Sequence, residues 1–141
     1  MRRNSVQRWS LVAIIGGSGV LHFTSPGFYR LIVPRALGHA DEVVALSGAA
    51  ELGCAAAMVV PRTRRLGGWL TAALLVAVFP ANLQMALDGG LKGAGFPGNN
   101  PVLAWLRLPL QVPLVLMALA VARRGRPAGV RMLACPTSTP T

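Results

Sequence analysis

The stretch Val43–Val60, VVALSGAAELGCAAAMVV, decides the fold of this chain. It is an apolar run of eighteen residues whose one formal charge, Glu51, lies at its centre. At ~1.5 Å per helical residue such a run spans most of a ~30 Å hydrocarbon layer. A carboxylate at that depth is costly, so something has to pair with it, hydrate it or keep it protonated. The remaining residues are read for what could do so.

Three further apolar runs accompany this one: Trp9–Ser25, Leu66–Leu87 and Val102–Ala122. The composition agrees, with 53% hydrophobic and only 13% charged residues and a mean hydropathy of +0.54, against about a quarter charged in soluble domains. The expected fold is therefore an all-α integral membrane protein, a bundle of four transmembrane helices at about 9–25, 43–60, 66–87 and 102–122. These helices form a membrane domain over 9–122, preceded by a basic N-terminus at 1–8 and followed by a tail at 123–141 whose composition predicts disorder. Arg2, Arg3 and Arg8 ahead of the first run resemble the start of a signal peptide. No small-x-small cleavage site follows, so the first run is expected to stay as a span. The three tryptophans, Trp9, Trp69 and Trp105, fall near run ends, where the amphipathic ring favours the interface.

The net charge of +10 is distributed in a telling way. Ten basic residues flank one side of the spans: Arg2, Arg3 and Arg8, then Arg62, Arg64 and Arg65, then Arg123, Arg124, Arg126 and Arg131. The other side holds Arg30, Arg35 and Lys92, offset by Asp41, Glu42 and Asp88. This asymmetry places both termini in the cytoplasm. Basic residues clustered between apolar runs, without interleaved aromatics on a polar domain, argue against nucleic acid as a partner.

Between the first two runs, PGFYRLIVPRALGHADE at 26–42 can place Phe28, Leu31 and Ile32 on one face of a short interfacial helix broken by Pro34. The stretch DGGLKGAGFPGNNP at 88–101 reads as flexible turns. Small residues recur every four positions at Ala45, Ala49, Gly53 and Ala57, and at Ala73, Ala77 and Ala81, which marks contact faces on the second and third spans. Pro80, Pro109 and Pro113 should bend the third and fourth.

Polar residues inside the runs share a depth. His22, Glu51, Asn82, Arg107 and Gln111 all fall between the midplane and the side away from the arginine clusters. Ser18 with His22, Ser47 with Glu51, and Arg107 with Gln111 are each four apart and share a helix face. Because lipid cannot satisfy them, these stripes should turn inward. His22, Ser47, Glu51, Asn82, Arg107 and Gln111 are thus the candidate polar pocket, with Arg107 expected to reach Glu51 and His22 at the edge. The alternative is polar glue between helices, although amides and hydroxyls suffice for that and His, Glu and Arg together suggest more. Cys54 and Cys135 form no motif, and there is no metal-ligand set, no nucleophile with a base and no phosphate loop. A self-sufficient enzyme is not expected, and no catalytic residue is assigned.

The strings LHFTSPGFYRLIVPRALG, SGAAELGCAAAMVVPRTRR, VFPANLQMAL and WLRLPLQ, one from each span in order, resemble the DoxX-like family of small bacterial membrane proteins. The resemblance covers about 9–122 and implies a multi-pass protein of the bacterial inner (plasma) membrane. The matching positions include His22, Phe28, Tyr29, Pro34, Ser47, Glu51, Asn82 and Arg107. It further implies an accessory subunit of a membrane redox system, with quinone as the associated cofactor and a membrane redox protein as partner. A small-solute or lipid-binding transporter acting as a homodimer, and a non-catalytic membrane assembly protein, are the competing readings.

Overall fold

The computed structural model describes residues 2–91 and 93–124. The chain there is all-helical: α1 (Arg2–Thr24), α2 (Pro26–Arg30), a single 3-10 turn (Arg35–Leu37), α3 (Ala40–Val59), α4 (Arg64–Leu87) and α5 (Pro101–Arg124). Three helices, α3, α4 and α5, are long and apolar enough to cross a membrane, which makes this a multi-pass membrane protein. The fourth long helix, α1, begins earlier than expected and takes in the basic N-terminal segment, because nothing between Arg2 and Trp9 breaks a helix. The tail beyond Arg124 lies outside the described residues, as do Arg126 and Arg131.

Each long helix buries one stripe at helical spacing. On α3 it runs Val44, Gly48, Cys54, Ala55 and Met58, and on α5 Ala104, Gln111, Ala118, Val121 and Ala122. The opposite faces present exposed Leu46, Val76, Leu110 and Leu116, as a lipid-facing surface would. The small-residue stripes expected on α3 and α4 mark contacts only at their ends: Ala45, Ala49, Gly53, Ala73 and Ala77 are exposed, whereas Ala57 and Ala81 are half-buried and Ala57 meets α4 at Gly67. Glycines on neighbouring faces make the close approaches instead. A Cβ on Gly67 would stand 2.7 Å from Met58 N, and one on Gly68 only 2.6 Å from Ala122 N. Burial selects which small residues matter, and spacing alone cannot.

Two apolar clusters close the bundle. Leu11, Ile15, Met58, Ala72, Leu75, Ala118 and Val121 pack at the end that carries Arg64 and Arg123. Met85, Ala86, Leu91 and Ala104, with Phe28 and Ile32 against them, pack at the other. The described residues of 88–101 form turns, as expected, and they seat the Leu91 side chain in the second cluster. Leu91 is 3% exposed, its N–H donates to Gly98 O at 2.9 Å, and Gly90 N donates to Met85 O at 3.0 Å. Gly90 at φ 105° and Gly93 at φ 90° allow the tight return that seats Leu91. Asn100 then caps α5, its side-chain oxygen accepting from Val102 N at 2.9 Å.

The segment between α1 and α3 is short and broken, as Pro34 requires. α2 ends at Arg30 and the 3-10 turn starts after the proline. Phe28 and Ile32 face the core, while Leu31 is exposed. An Arg30–Asp41 ion pair ties the end of α2 to the start of α3.

Gly68→Ala should lower the stability of the detergent-solubilised protein by about 1–3 kcal/mol, because the Ala118–Ala122 backbone has to give way. Gly53→Ala, with nothing within 4 Å of the new Cβ, should be neutral or stabilising. Thermal unfolding of the pair in one detergent checks both.

Candidate functional site

Between the two apolar clusters the bundle is hollow. A cavity of about 790 Å³ is lined by all four long helices together with α2 and the segment after it. Most of the lining is apolar, including Ile14, Val43, Val78 and Leu114. Five of the six candidate residues, His22, Ser47, Glu51, Asn82 and Arg107, reach it. The sixth, Gln111, is 6% exposed and sits on the buried stripe of α5.

One wall is built on the closest approach of α1 and α3. A Cβ on Gly48 would lie 2.6 Å from His22 Cβ, and one on Gly19 would lie 3.0 Å from Gly48 O. With no side chain at either position the helices touch, and His22 is pressed against α3 within reach of Glu51. His22 Nδ1 donates to Ser18 O at 2.9 Å. Because a carbonyl oxygen only accepts, Nδ1 carries the hydrogen in that bond. Glu51 Oε2 stands 3.4 Å from the same nitrogen, yet it receives no hydrogen bond. The carboxyl is therefore half-buried beside a histidine, with its Oε2 left unsatisfied. Ser47 does not supply the missing donor, since its hydroxyl donates to Val44 O at 3.0 Å.

The expected Arg107–Glu51 pair does not form. Arg107 Nη1 points to Met85 Sδ at 3.7 Å, and its guanidinium lies 5.8 Å from the Phe28 ring centroid. The physical reason is placement: α1 packs against α3 and captures Glu51, whereas Arg107 on α5 lies under α2 at the far side of the cavity. A cation over an aromatic face is attracted to it, but that contact does not neutralise the charge. The ion pairs among the described residues leave Arg107 without a carboxylate.

Gln111 and Asn82 join α4 to α5. Gln111 Nε2 donates to Leu75 O, and Asn82 Nδ2 donates to Gln111 Oε1 at 3.3 Å. Pro80 lies between these α4 groups and has no N–H to donate to Val76 O. Gln111 serves the adjoining carbonyl. This part of the constellation is the interhelical glue weighed above, and the His22, Glu51 and Arg107 part is not.

Tyr29 belongs to the site and was missed as a pocket residue. Its ring stacks on His22 with centroids 3.7 Å apart, and Phe28 meets it edge-on at 5.6 Å. The signal was present in an aromatic pair placed six and seven residues after His22, but the turn at Ser25 that folds α2 back over α1 has no periodicity to reveal it.

Two substitutions separate the two roles. Gln111→Leu should cost about 1–2 kcal/mol by removing the bond to Leu75 O and leaving Asn82 Nδ2 without its partner, and the loss should be less than additive with Asn82→Ala in thermal unfolding. Gly48→Ala should destabilise by about 1–3 kcal/mol and shift the His22 ring resonances in NMR spectra of the solubilised protein.

No curated protein and no solved structure matches the chain. Residues 11–122, which contain every cavity-lining residue, match the domain of unknown function DUF8561, and the chain belongs to that family.

Proposed function

We propose that the cavity binds a small amphipathic ring compound of the quinone class, and that the protein is an accessory subunit of a membrane redox system. The observation that carries this reading is an apolar cavity lined by both a carboxyl with one oxygen lacking a hydrogen bond and a guanidinium lacking a carboxylate. Glu51 offers an oxygen without a hydrogen bond, and Arg107 offers a guanidinium without a carboxylate. A ring with polar atoms at both ends and an apolar body suits such a lining. Arg107 would donate to one end. Glu51 and His22, whose side chains can both exchange protons, would serve the other. A bound quinone supplies two-electron, two-proton redox chemistry, and a partner protein has to deliver the electrons. The resemblance of four ordered strings to DoxX-like proteins supports the same assignment.

In this reading α1 is a fourth span, both termini face the cytoplasm and the membrane is the bacterial inner membrane. The arginines at one end, Arg8, Arg62, Arg64, Arg65 and Arg123, favour that orientation. The cavity then lies in the half of the bilayer facing away from the cytoplasm.

The test is titration of the solubilised protein with a short-chain quinone by calorimetry. Glu51→Gln and Arg107→Gln should each weaken binding by about tenfold, the loss of one charge-assisted hydrogen bond. Absence of binding, or binding indifferent to both substitutions, would falsify the proposal.

A second reading, carriage of an anionic amphiphile or small solute, is favoured by the uncompensated charge of Arg107 alone. It predicts uptake into proteoliposomes that is lost in Arg107→Gln and retained in Glu51→Gln.

A further inference from the structure

The cavity is closed on three sides at its own level. α1 meets α3 where Gly19 faces Gly48. α4 is tied to α5 by the Gln111–Leu75 and Asn82–Gln111 hydrogen bonds. α2 covers the edge between α1 and α5, with Tyr29 stacked on His22 and the Phe28 ring beside Arg107.

The fourth side, between α3 and α4, differs. These helices meet near their connecting turn, where Gly67 touches Ala57 and Met58 and Thr71 donates to Met58 Sδ at 3.6 Å. The apolar cluster they share reaches Cys54 on α3 and Leu75 on α4. Beyond those two residues, Val43, Ser47 and Glu51 on α3 and Ala77, Ala81 and Gln84 on α4 line the cavity. Ala81 stands about four helical turns from Gly67 and so projects toward the same neighbour, α3, with Ala77 and Gln84 a turn to either side of it. Ala77 and Gln84 are exposed although they line the cavity, and so are Ala36 and Leu37 just ahead of α3. The cavity therefore reaches the molecular surface along the α3–α4 edge. Both helices are long and apolar enough to cross a membrane, so an opening between them faces lipid.

The chemistry of the occupant follows from this opening. Glu51 and Arg107 supply polar contacts inside the cavity, whereas the passage outward runs past Val43, Ala77 and Ala81. Ser47 adds no free donor there, because its hydroxyl is spent on Val44 O. A molecule lying in this passage gains nothing from polar groups along its length and is solvated by lipid where it emerges. We propose that the α3–α4 edge is a lateral portal, and that the cavity takes a ring compound with a long hydrocarbon tail, its ring held by Glu51 and Arg107 and its tail leaving between α3 and α4 into the bilayer. This rests on the reading of the cavity as a quinone site and names the substrate class: a membrane-dissolved, tail-bearing quinone, delivered from lipid.

The experiment irradiates the full-length protein in lipid nanodiscs with a benzoquinone whose prenyl tail carries a diazirine, and maps the adducts by mass spectrometry. Adducts should fall on α3 between Val43 and Glu51 and on α4 between Ala77 and Gln84, and a short-chain quinone should displace them. Ala77→Trp, which fills the opening, should weaken the apparent affinity for the tailed probe by about tenfold. Val76→Trp, the same bulk at an exposed position that does not line the cavity, should leave it unchanged. Adducts elsewhere, or none, while calorimetry shows the short-chain quinone binding, would overturn the portal and leave the quinone reading standing. Equal losses in the two Trp variants would also overturn the portal alone. Adducts at the α3–α4 edge that the short-chain quinone cannot displace would reduce the labelling to ordinary lipid contact and overturn both readings.

Discussion

The contact on which the site depends is the approach of α1 to α3 at Gly19 and Gly48. Two glycines facing each other let the helix backbones touch, and that contact brings His22 to Glu51. An alanine at Gly48 would collide with His22 Cβ before any change in the polar chemistry arose. The costly carboxyl in the middle of α3 is thus answered from the helix packed hardest against it. Arg107 faces the same hollow as Glu51 and pairs with no carboxylate among the described residues.

That hollow exists because the four helices are sealed at two levels and not between them. Leu11, Met58, Ala72 and Ala118 fill one end, while Met85, Leu91, Ala104 and Phe28 fill the other. Between them, near Pro80, Gln111 and Asn82 join α4 to α5 through hydrogen bonds. Polar groups in such a layer serve two ends. Gln111 is satisfied and joins helices, whereas Glu51 and Arg107 remain short of partners and hold the capacity to bind.

Much of this was legible from residue order. The four apolar runs anticipated the four long helices, with boundaries displaced by a few residues and by more at the N-terminus. The common depth of His22, Glu51, Asn82 and Arg107 anticipated that they line one cavity. What failed were statements about which partner or which face. The alanine stripes were read as contacts because small residues recur on them, yet Ala45, Ala49, Ala73 and Ala77 are exposed. The burial of Leu91 within the glycine-rich turns at 88–101 was not legible, because a single leucine gives no periodic signal.

The sequence by itself determined the helices, the depth of each polar residue along its own axis and the end of the bundle at which positive charge collects. These are properties of one helix at a time, set by a 1.5 Å rise and by the cost of placing charge in hydrocarbon. Tertiary structure decided that Glu51 meets His22 and not Arg107, and that Tyr29 stacks on His22. Depth fixes only height, and partners also depend on which helices adjoin and how each is rotated. Those choices rest on glycines, a proline and a turn whose effects appear only when helices pack.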